Sequence, residues 1–453
     1  MRWLSAINGL TSVNGGSTNT LRCRASRIGW QWRKQQKQQK NRVLSRDQVR
    51  NMTRASTTTA SAATNGRASA WHTPGNGPSQ YDFRSDTMTT PTVAMLEAIQ
   101  QTSLQDDVTQ EDSVTNSLEA HVAALTGKEA ALLVMSGTMG NQVALRTHLT
   151  TPPYSIVCDL RSHIIAYEGG GGSLFSGAMT LTISPRNKHH VTLAEIEEHT
   201  TVSDDVHACP TTVISLENTL NGTIMPQTEI EAISRFARAN GIAMHLDGAR
   251  IWEAAVATKT PLTTLLAPFD SASLCFSKGL GAPIGSIVVG TRAFIARARR
   301  FRKIFGGGTR QAGVISAPAR VAVDETFGLD PAGQTGKLAA SHAQARTVAE
   351  LWQSKGGKLT YPVETNMVWL DIASLGVGDQ EFVEILANHG IRAYGSRLVV
   401  HYQISQDGVA RLAKAMDEVL ALSAKQGAAS QKGRGSSNGV KKGIYAANQA
   451  LLG

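Results

Sequence analysis

Residues 272–290 read ASLCFSKGLGAPIGSIVVG. Two short apolar runs, Ala272–Ser277 and Gly285–Gly290, bracket Lys278 and a glycine-rich turn. Runs of this length between Gly and Pro signals read as buried strands. Toward the N-terminus the pattern repeats. GIAMHLD (Gly241–Asp247) is an apolar strand that stops on an acid, preceded by a helix face of Ile230, Ile233 and Phe236. ALLVMSG (Ala131–Gly137) is another, preceded by Leu118, Val122 and Leu125 on one helix face and a stop at Gly127. Strands separated by helices predict an α/β fold with a mostly parallel sheet covered on both faces. Beyond about Asp330, helical patterning leads into TNMVWLDI (Thr365–Ile372) and RLVVHYQ (Arg397–Gln403), which read as a smaller α+β unit.

The charge is unevenly spread over the 453 residues. Residues 1–80 hold ten Arg and three Lys against the single acid Asp47, a net of +12, while the remainder holds 32 bases and 34 acids, a net of −2. A nearly neutral body gives no electrostatic footprint for nucleic acid. The leader is rich in Arg, Ser, Thr and Gln, the composition of a mitochondrial transit peptide or of a disordered extension of a cytoplasmic protein. The stretch from Ser423 to the C-terminus is again basic and of low complexity, and is expected to be disordered. The expected division is therefore a leader (1–80), a large α/β domain (81–328), a small α+β domain (329–422) and a tail (423–453). Cys23, Cys158, Cys209 and Cys275 show neither metal-ligand nor redox spacing, so no metal is expected. No apolar run has the length to span a bilayer.

Ligands meet an α/β sheet at strand ends, and three ends carry polar groups. Ser136-Gly137-Thr138 follows the strand ALLVM and opens a helical stretch, where free amides and the helix dipole favour a phosphate. Alone it is a weak signal, and a tight strand-to-helix turn with a Ser/Thr cap is the more frequent explanation. Asp247 ends an apolar strand, and a buried acid needs a partner such as a pyridinium N–H or Arg250. Lys278, next to Ser277, leaves its strand into a glycine-rich loop. Partial burial lowers a lysine's pKa and frees its amine to attack an aldehyde, although a lone lysine there also reads as one reaching for solvent. A phosphate seat, an acid and a lysine in this order frame the pyridoxal-phosphate site of an aspartate-aminotransferase-like fold.

At these residues the chain resembles the low-specificity L-threonine aldolases, in particular their fungal members. The likeness runs from Tyr81 to about Gln403 and is carried by DFRSDTMTTPT (Asp82–Thr92), GKEAALLVMSGTMGNQ (Gly127–Gln142), SLENTLNG (Ser215–Gly222), HLDGARIWEAA (His245–Ala255), CFSKGLGAPIGSIVVG (Cys275–Gly290) and GGGTRQAG (Gly306–Gly313). The resemblance implies a large domain with a mostly parallel seven-stranded sheet, pyridoxal phosphate as cofactor, an amino-acid substrate, and a homotetramer with shared sites. It implies that Lys278 is the Schiff-base lysine and that Asp247 faces the pyridine nitrogen. His163 stacks on the ring and assists proton transfer. Gly137 and Thr138 hold the phosphate, with Ser277 beside them in the cofactor site. Ser85, Arg250 and Arg397 surround the substrate carboxylate, Arg250 also lying against the cofactor. Arg310 reaches a phosphate across the subunit boundary.

The reaction so implied is cleavage of threonine or allo-threonine to glycine and an aldehyde. Two positions depart from the family pattern. Thr109 stands where a tyrosine is usual, and Leu220-Asn221 stands where histidine is frequent. A second candidate base is therefore absent, leaving water or His163 for the β-hydroxyl proton. The same scaffold also suits an amino-acid (alanine) racemase, as in fungal racemases of this type, or a β-eliminating lyase.

Overall fold

A computed structural model describes residues 77–432, with side chains through Leu422. Nearly all of the leader, and the tail after Lys432, lie outside the described residues, and the targeting expectation with them. Seven strands form the main sheet: β1 (Ala130–Val134), β2 (Ser155–Asp159), β3 (Met179–Ile183), β4 (Thr211–Glu217), β5 (Ala243–Asp247), β6 (Ser271–Cys275) and β7 (Ser286–Gly290). Their order is β1-β7-β6-β5-β4-β2-β3, with β7 alone antiparallel to its neighbours. This is the mostly parallel α/β sheet that the alternation of apolar runs and helix faces predicts.

Both sheet faces are covered, and the period-two alternation of the strands decides which residue faces which layer. Ala131 and Leu133 of β1 join Leu118 and Val122 in one core, while Leu132 and Val134 join Val143, Val288 and Phe294 in another. In β2, Val157 belongs to the first core, and Ile156 and Cys158 pack with Leu145 and Val213 on the opposite face. The predicted helices fall where their faces place them. Ser113–Thr126 starts on the Asp112 cap and ends at Gly127, whose φ of 69° is the left-handed stop that favours glycine. Gln227–Ala239 carries Ile230 and Ile233 inward.

A separate core gathers Trp352, Phe382, Leu398, Val400 and Met416 around a two-stranded ribbon, β8 (Met367–Trp369) and β9 (Arg397–Val399). Phe83 belongs to it, although the sequence division set Tyr81–Gly328 in the large domain. The reason is backbone pairing: Phe83 N donates to Arg392 O at 2.8 Å and Val399 N donates to Phe83 O at 2.9 Å. The last helix, Gln406–Lys432, runs past Leu422.

Candidate active site

The carboxyl ends of β1, β2, β4, β5 and β6 share one edge of the sheet. Asp247 lies at its centre, 4% exposed. Its carboxylate accepts from Asn141 Nδ2 at 2.7 Å and from Ala249 N at 3.1 Å. Both donors are neutral amides, and no ion pair reaches Asp247 among the described residues. A buried carboxylate with that surrounding suits a cationic N–H.

His163 begins the short helix His163–Ala166 after β2. Its backbone N donates to Glu217 Oε2 at 2.8 Å, and its Nδ1 is 2.8 Å from Glu168 Oε1. A ring nitrogen of His163 and carboxylate oxygens of Glu168 and Asp247 lie within 4.8 Å of one another. Asn141 Nδ2 bridges the two acids, reaching Glu168 Oε1 at 2.8 Å, so hydrogen bonds alone account for the cluster. Asn141 Oδ1 is 3.2 Å from His245 Nε2, His245 Nδ1 is 2.9 Å from Ser271 Oγ, and Ser271 Oγ is 2.7 Å from His148 Nε2. Burial pushes His245 down to about 3 and His148 down to about 4, so both rings are neutral.

The helix Gly137–His148 follows β1, with Ser136 Oγ capping Met139 N at 3.1 Å. The amides of Gly137 and Thr138 have no intrahelical acceptor, and they sit at the positive end of the helix dipole. A Cβ on Gly137 would stand 2.7 Å from Cys275 Sγ. Glycine therefore lets the helix start press against the end of β6, from which Lys278 emerges. Lys278 and Ser277 are half-buried. The Lys278 ammonium acts electrostatically on Asp86, Glu217 and Cys275.

Arg250 donates through Nε to Asp86 Oδ2 at 2.8 Å and through Nη2 to Asp86 Oδ1 at 2.6 Å. Burial disfavours the Asp86 charge, but Arg250 outweighs it and holds the carboxyl below its usual range. Ser85 is buried next to Asp86, its Oγ capping Thr87 N at 3.2 Å. Arg397 stands at the start of β9, over the Trp369 ring at 5.8 Å, with Arg84 O as its hydrogen-bond partner at 3.4 Å. Burial and then Arg250 lower its pKa. Arg397 is thus the cation near Arg250 with no carboxylate paired to it among the described residues. Arg310 is not gathered with these groups. It is exposed and pairs with Asp106 at 2.6 Å. Thr109 lies in the same exposed turn, its hydroxyl on Asp106 O at 3.2 Å.

Four residues that the motifs did not single out complete the site: Asp86, Asn141, Glu168 and Glu217. Each adjoins a recognised motif, Asp86 directly after Ser85 and Asn141 one helical turn beyond Gly137. Glu217 ends β4 beside Asp247, its register partner. Burial and then the Asp247 charge push its carboxyl up to about 8. Leu220, at one position of the family departure, is buried in the loop that follows.

The sheet order, the helix start facing β6, the buried acid and the lysine define a pyridoxal-phosphate enzyme of the aspartate-aminotransferase-like class. The family model described as beta-eliminating lyase matches residues 82–374. An aldolase named vrtJ from Penicillium aethiopicum is 50% identical over 79% of this chain and 90% of its own. An alanine racemase, TOXG, from Cochliobolus carbonum is 40% identical over 78% and 90%. A low-specificity L-threonine aldolase from Candida albicans is 44% identical over 75% and 90%. Among solved structures, a threonine aldolase from Leishmania major superposes with a TM-score of 0.64 at 18% identity, covering 75% of this chain and 99% of that one, a likeness of fold. The chain belongs to the beta-eliminating lyase family, among the low-specificity L-threonine aldolases and their relatives.

Proposed function

We propose that the protein cleaves threonine, allo-threonine and related β-hydroxy amino acids to glycine and an aldehyde, with pyridoxal phosphate held by Lys278. The observation that carries this reading is the buried Asp247 carboxylate, faced by amides at the end of β5, with the neighbouring β6 leading to the half-buried Lys278 and an unsatisfied helix start after β1. Gly137 and Thr138 hold the phosphate with their amides, with Ser277 beside it. Asp247 keeps the pyridine nitrogen protonated. The bound cofactor supplies an electron sink for the pair released at Cα. Arg397 binds the substrate carboxylate as a bidentate fork, with Ser85 nearby. Arg250, fixed by Asp86, adds positive potential there and orients the pocket wall. His163, steered by Glu168, covers the cofactor face and moves protons.

Arg310, on an exposed loop, completes a neighbouring subunit's site in a homotetramer, which sedimentation of the purified protein tests. The decisive assay is aldehyde and glycine release from threonine and allo-threonine. Lys278→Ala should abolish both release and the visible band of the bound cofactor. A colourless wild-type protein with added cofactor refutes the reading. The identity to an alanine racemase supports a second reading, amino-acid racemisation. Loss of optical rotation in alanine, without aldehyde from any β-hydroxy substrate, decides for it.

A further inference from the structure

Behind Glu217, on the flank of the sheet, lies a cavity lined by Asp159, His189, His190, Glu217, Leu220 and Thr223. A water centre has about 20 Å³ to move in there, and a buried water needs about 10–15 Å³ and two or more polar partners. Apolar walls come from Val191, Leu216, Leu220 and Met225, and the polar lining from Asp159, His189, His190, Glu217 and Thr223. Asp159 is already paired with Arg161 at 2.7 Å, which leaves Glu217 as the other carboxyl of the lining. His190 and His189 begin a hydrogen-bonded chain running to Glu364. His190 Nδ1 is 2.8 Å from His189 Nδ1, and His189 Nε2 is 2.9 Å from Glu364 Oε1.

This chain assigns the ring protons. An ionised Glu364 can only accept, so His189 Nε2 donates. A neutral His189 then accepts at Nδ1, and His190 Nδ1 donates to it. His190 Nε2 is left as a bare acceptor, with no partner among the described residues. We propose that the cavity holds one water molecule joining the Glu217 carboxyl to His190 Nε2, a proton relay that connects the active site to His189 and Glu364.

The transfer balances without any further reactant. Glu217 gives its proton to the water, and the water gives one to His190 Nε2. The products are a Glu217 carboxylate and a His190 imidazolium, whose charge Glu229, Glu195 and Glu364 favour. The reverse step reloads Glu217. Burial, and to a lesser degree His189, hold His190 below its ordinary range, while Glu229, Glu195 and Glu364 pull the other way. On the active-site flank, Asp247 favours the protonated Glu217, and the His163 amide, Lys278 and Arg250 favour the ionised form. A carboxyl balanced between these influences exchanges its proton at neutral to mildly basic pH. The relay rests on the proposed proton-transferring chemistry only for its use in turnover, because the wiring itself can be read without substrate.

The test uses the full chain labelled with ¹⁵N-histidine, before and after removal of its cofactor. The His190 resonance, assigned through His190→Gln, is followed as Glu217 titrates around its midpoint of about 8. Its Nε2 shift should show an inflection there that disappears in Glu217→Gln. A flat His190 signal in the unsubstituted protein, or an inflection that survives Glu217→Gln, overturns the relay whatever the substrate is. In the holoenzyme, His190→Gln should lower kcat by about tenfold or more with KM unchanged, and added imidazole should restore part of it. An unchanged kcat would remove the relay from turnover, whereas loss of aldehyde release in the unsubstituted enzyme would instead refute the reading of the reaction.

Discussion

Asp86→Asn leaves the buried Arg250 guanidinium without its bidentate counter-charge. Asp86 is 0% exposed, and the pair is held by hydrogen bonds of 2.6 and 2.8 Å. At about 4 Å and an effective dielectric near 20, such charges attract by about 4 kcal/mol. Asparagine offers one acceptor, but it turns an amide N–H₂ toward the guanidinium or forces it aside. Removing one partner of a buried pair costs about 3–5 kcal/mol, because the remaining charge stays desolvated. Urea unfolding of the cofactor-free protein at fixed concentration should therefore show a loss of that size. The double replacement Asp86→Leu with Arg250→Met should recover most of it, since the penalty lies in the orphaned charge. The sign with pH follows from the depressed folded pKa: the contribution is present above the unfolded carboxylate range and is lost only as pH falls through the lower folded value. Asp86→Asn should therefore cost the same at pH 6 and pH 8. A loss below about 1 kcal/mol, or one as large in the double variant, would refute the reasoning.

Three further outcomes are open to measurement. Glu217 binds its proton more tightly folded than unfolded, so ionising it above the ordinary glutamate range costs stability. Glu217→Gln should gain on the unsubstituted protein between pH 6 and pH 9, by on the order of 1–3 kcal/mol in urea unfolding, and equal curves at both pH values would contradict this. Arg397→Leu should raise KM for the amino acid at least about tenfold while the cofactor's visible band remains, because a bidentate carboxylate contact is lost. Gly137→Ala forces a Cβ to within 2.7 Å of Cys275 Sγ and should destabilise the protein by about 1–3 kcal/mol, together with weaker cofactor retention in dialysis.

The strands that bear chemistry were legible because each is a short apolar run ending on a polar residue, as at Asp247 and Lys278. The boundaries were not, because the pairing of Phe83 with Arg392 and Val399 joins residues more than 300 apart along the chain. Asp86 was passed over for a similar reason. Nothing near DFRSDT announces that its carboxylate will meet Arg250, 164 residues on. Glu217 sits beside Asp247 only once β4 and β5 pair in register, and only that proximity raises its pKa. Arg250 shows the converse: the motif marked it, but the partner came from another part of the chain.

The bonds from His148 through Ser271, His245 and Asn141 to Asp247 have a direction. A carboxylate can only accept, so the Asn141 N–H₂ faces Asp247 and Glu168 and its Oδ1 accepts from His245 Nε2. Neutral His245 then accepts at Nδ1 from the Ser271 hydroxyl, whose oxygen is left to accept from His148 Nε2. No member can be reversed alone, because each donor is the next group's acceptor. The two carboxylates at the centre of the site therefore set the ring protons as far out as His148. A replacement at Ser271 or His148 would release the outer links while Asp247 and Glu168 still hold the Asn141 amide.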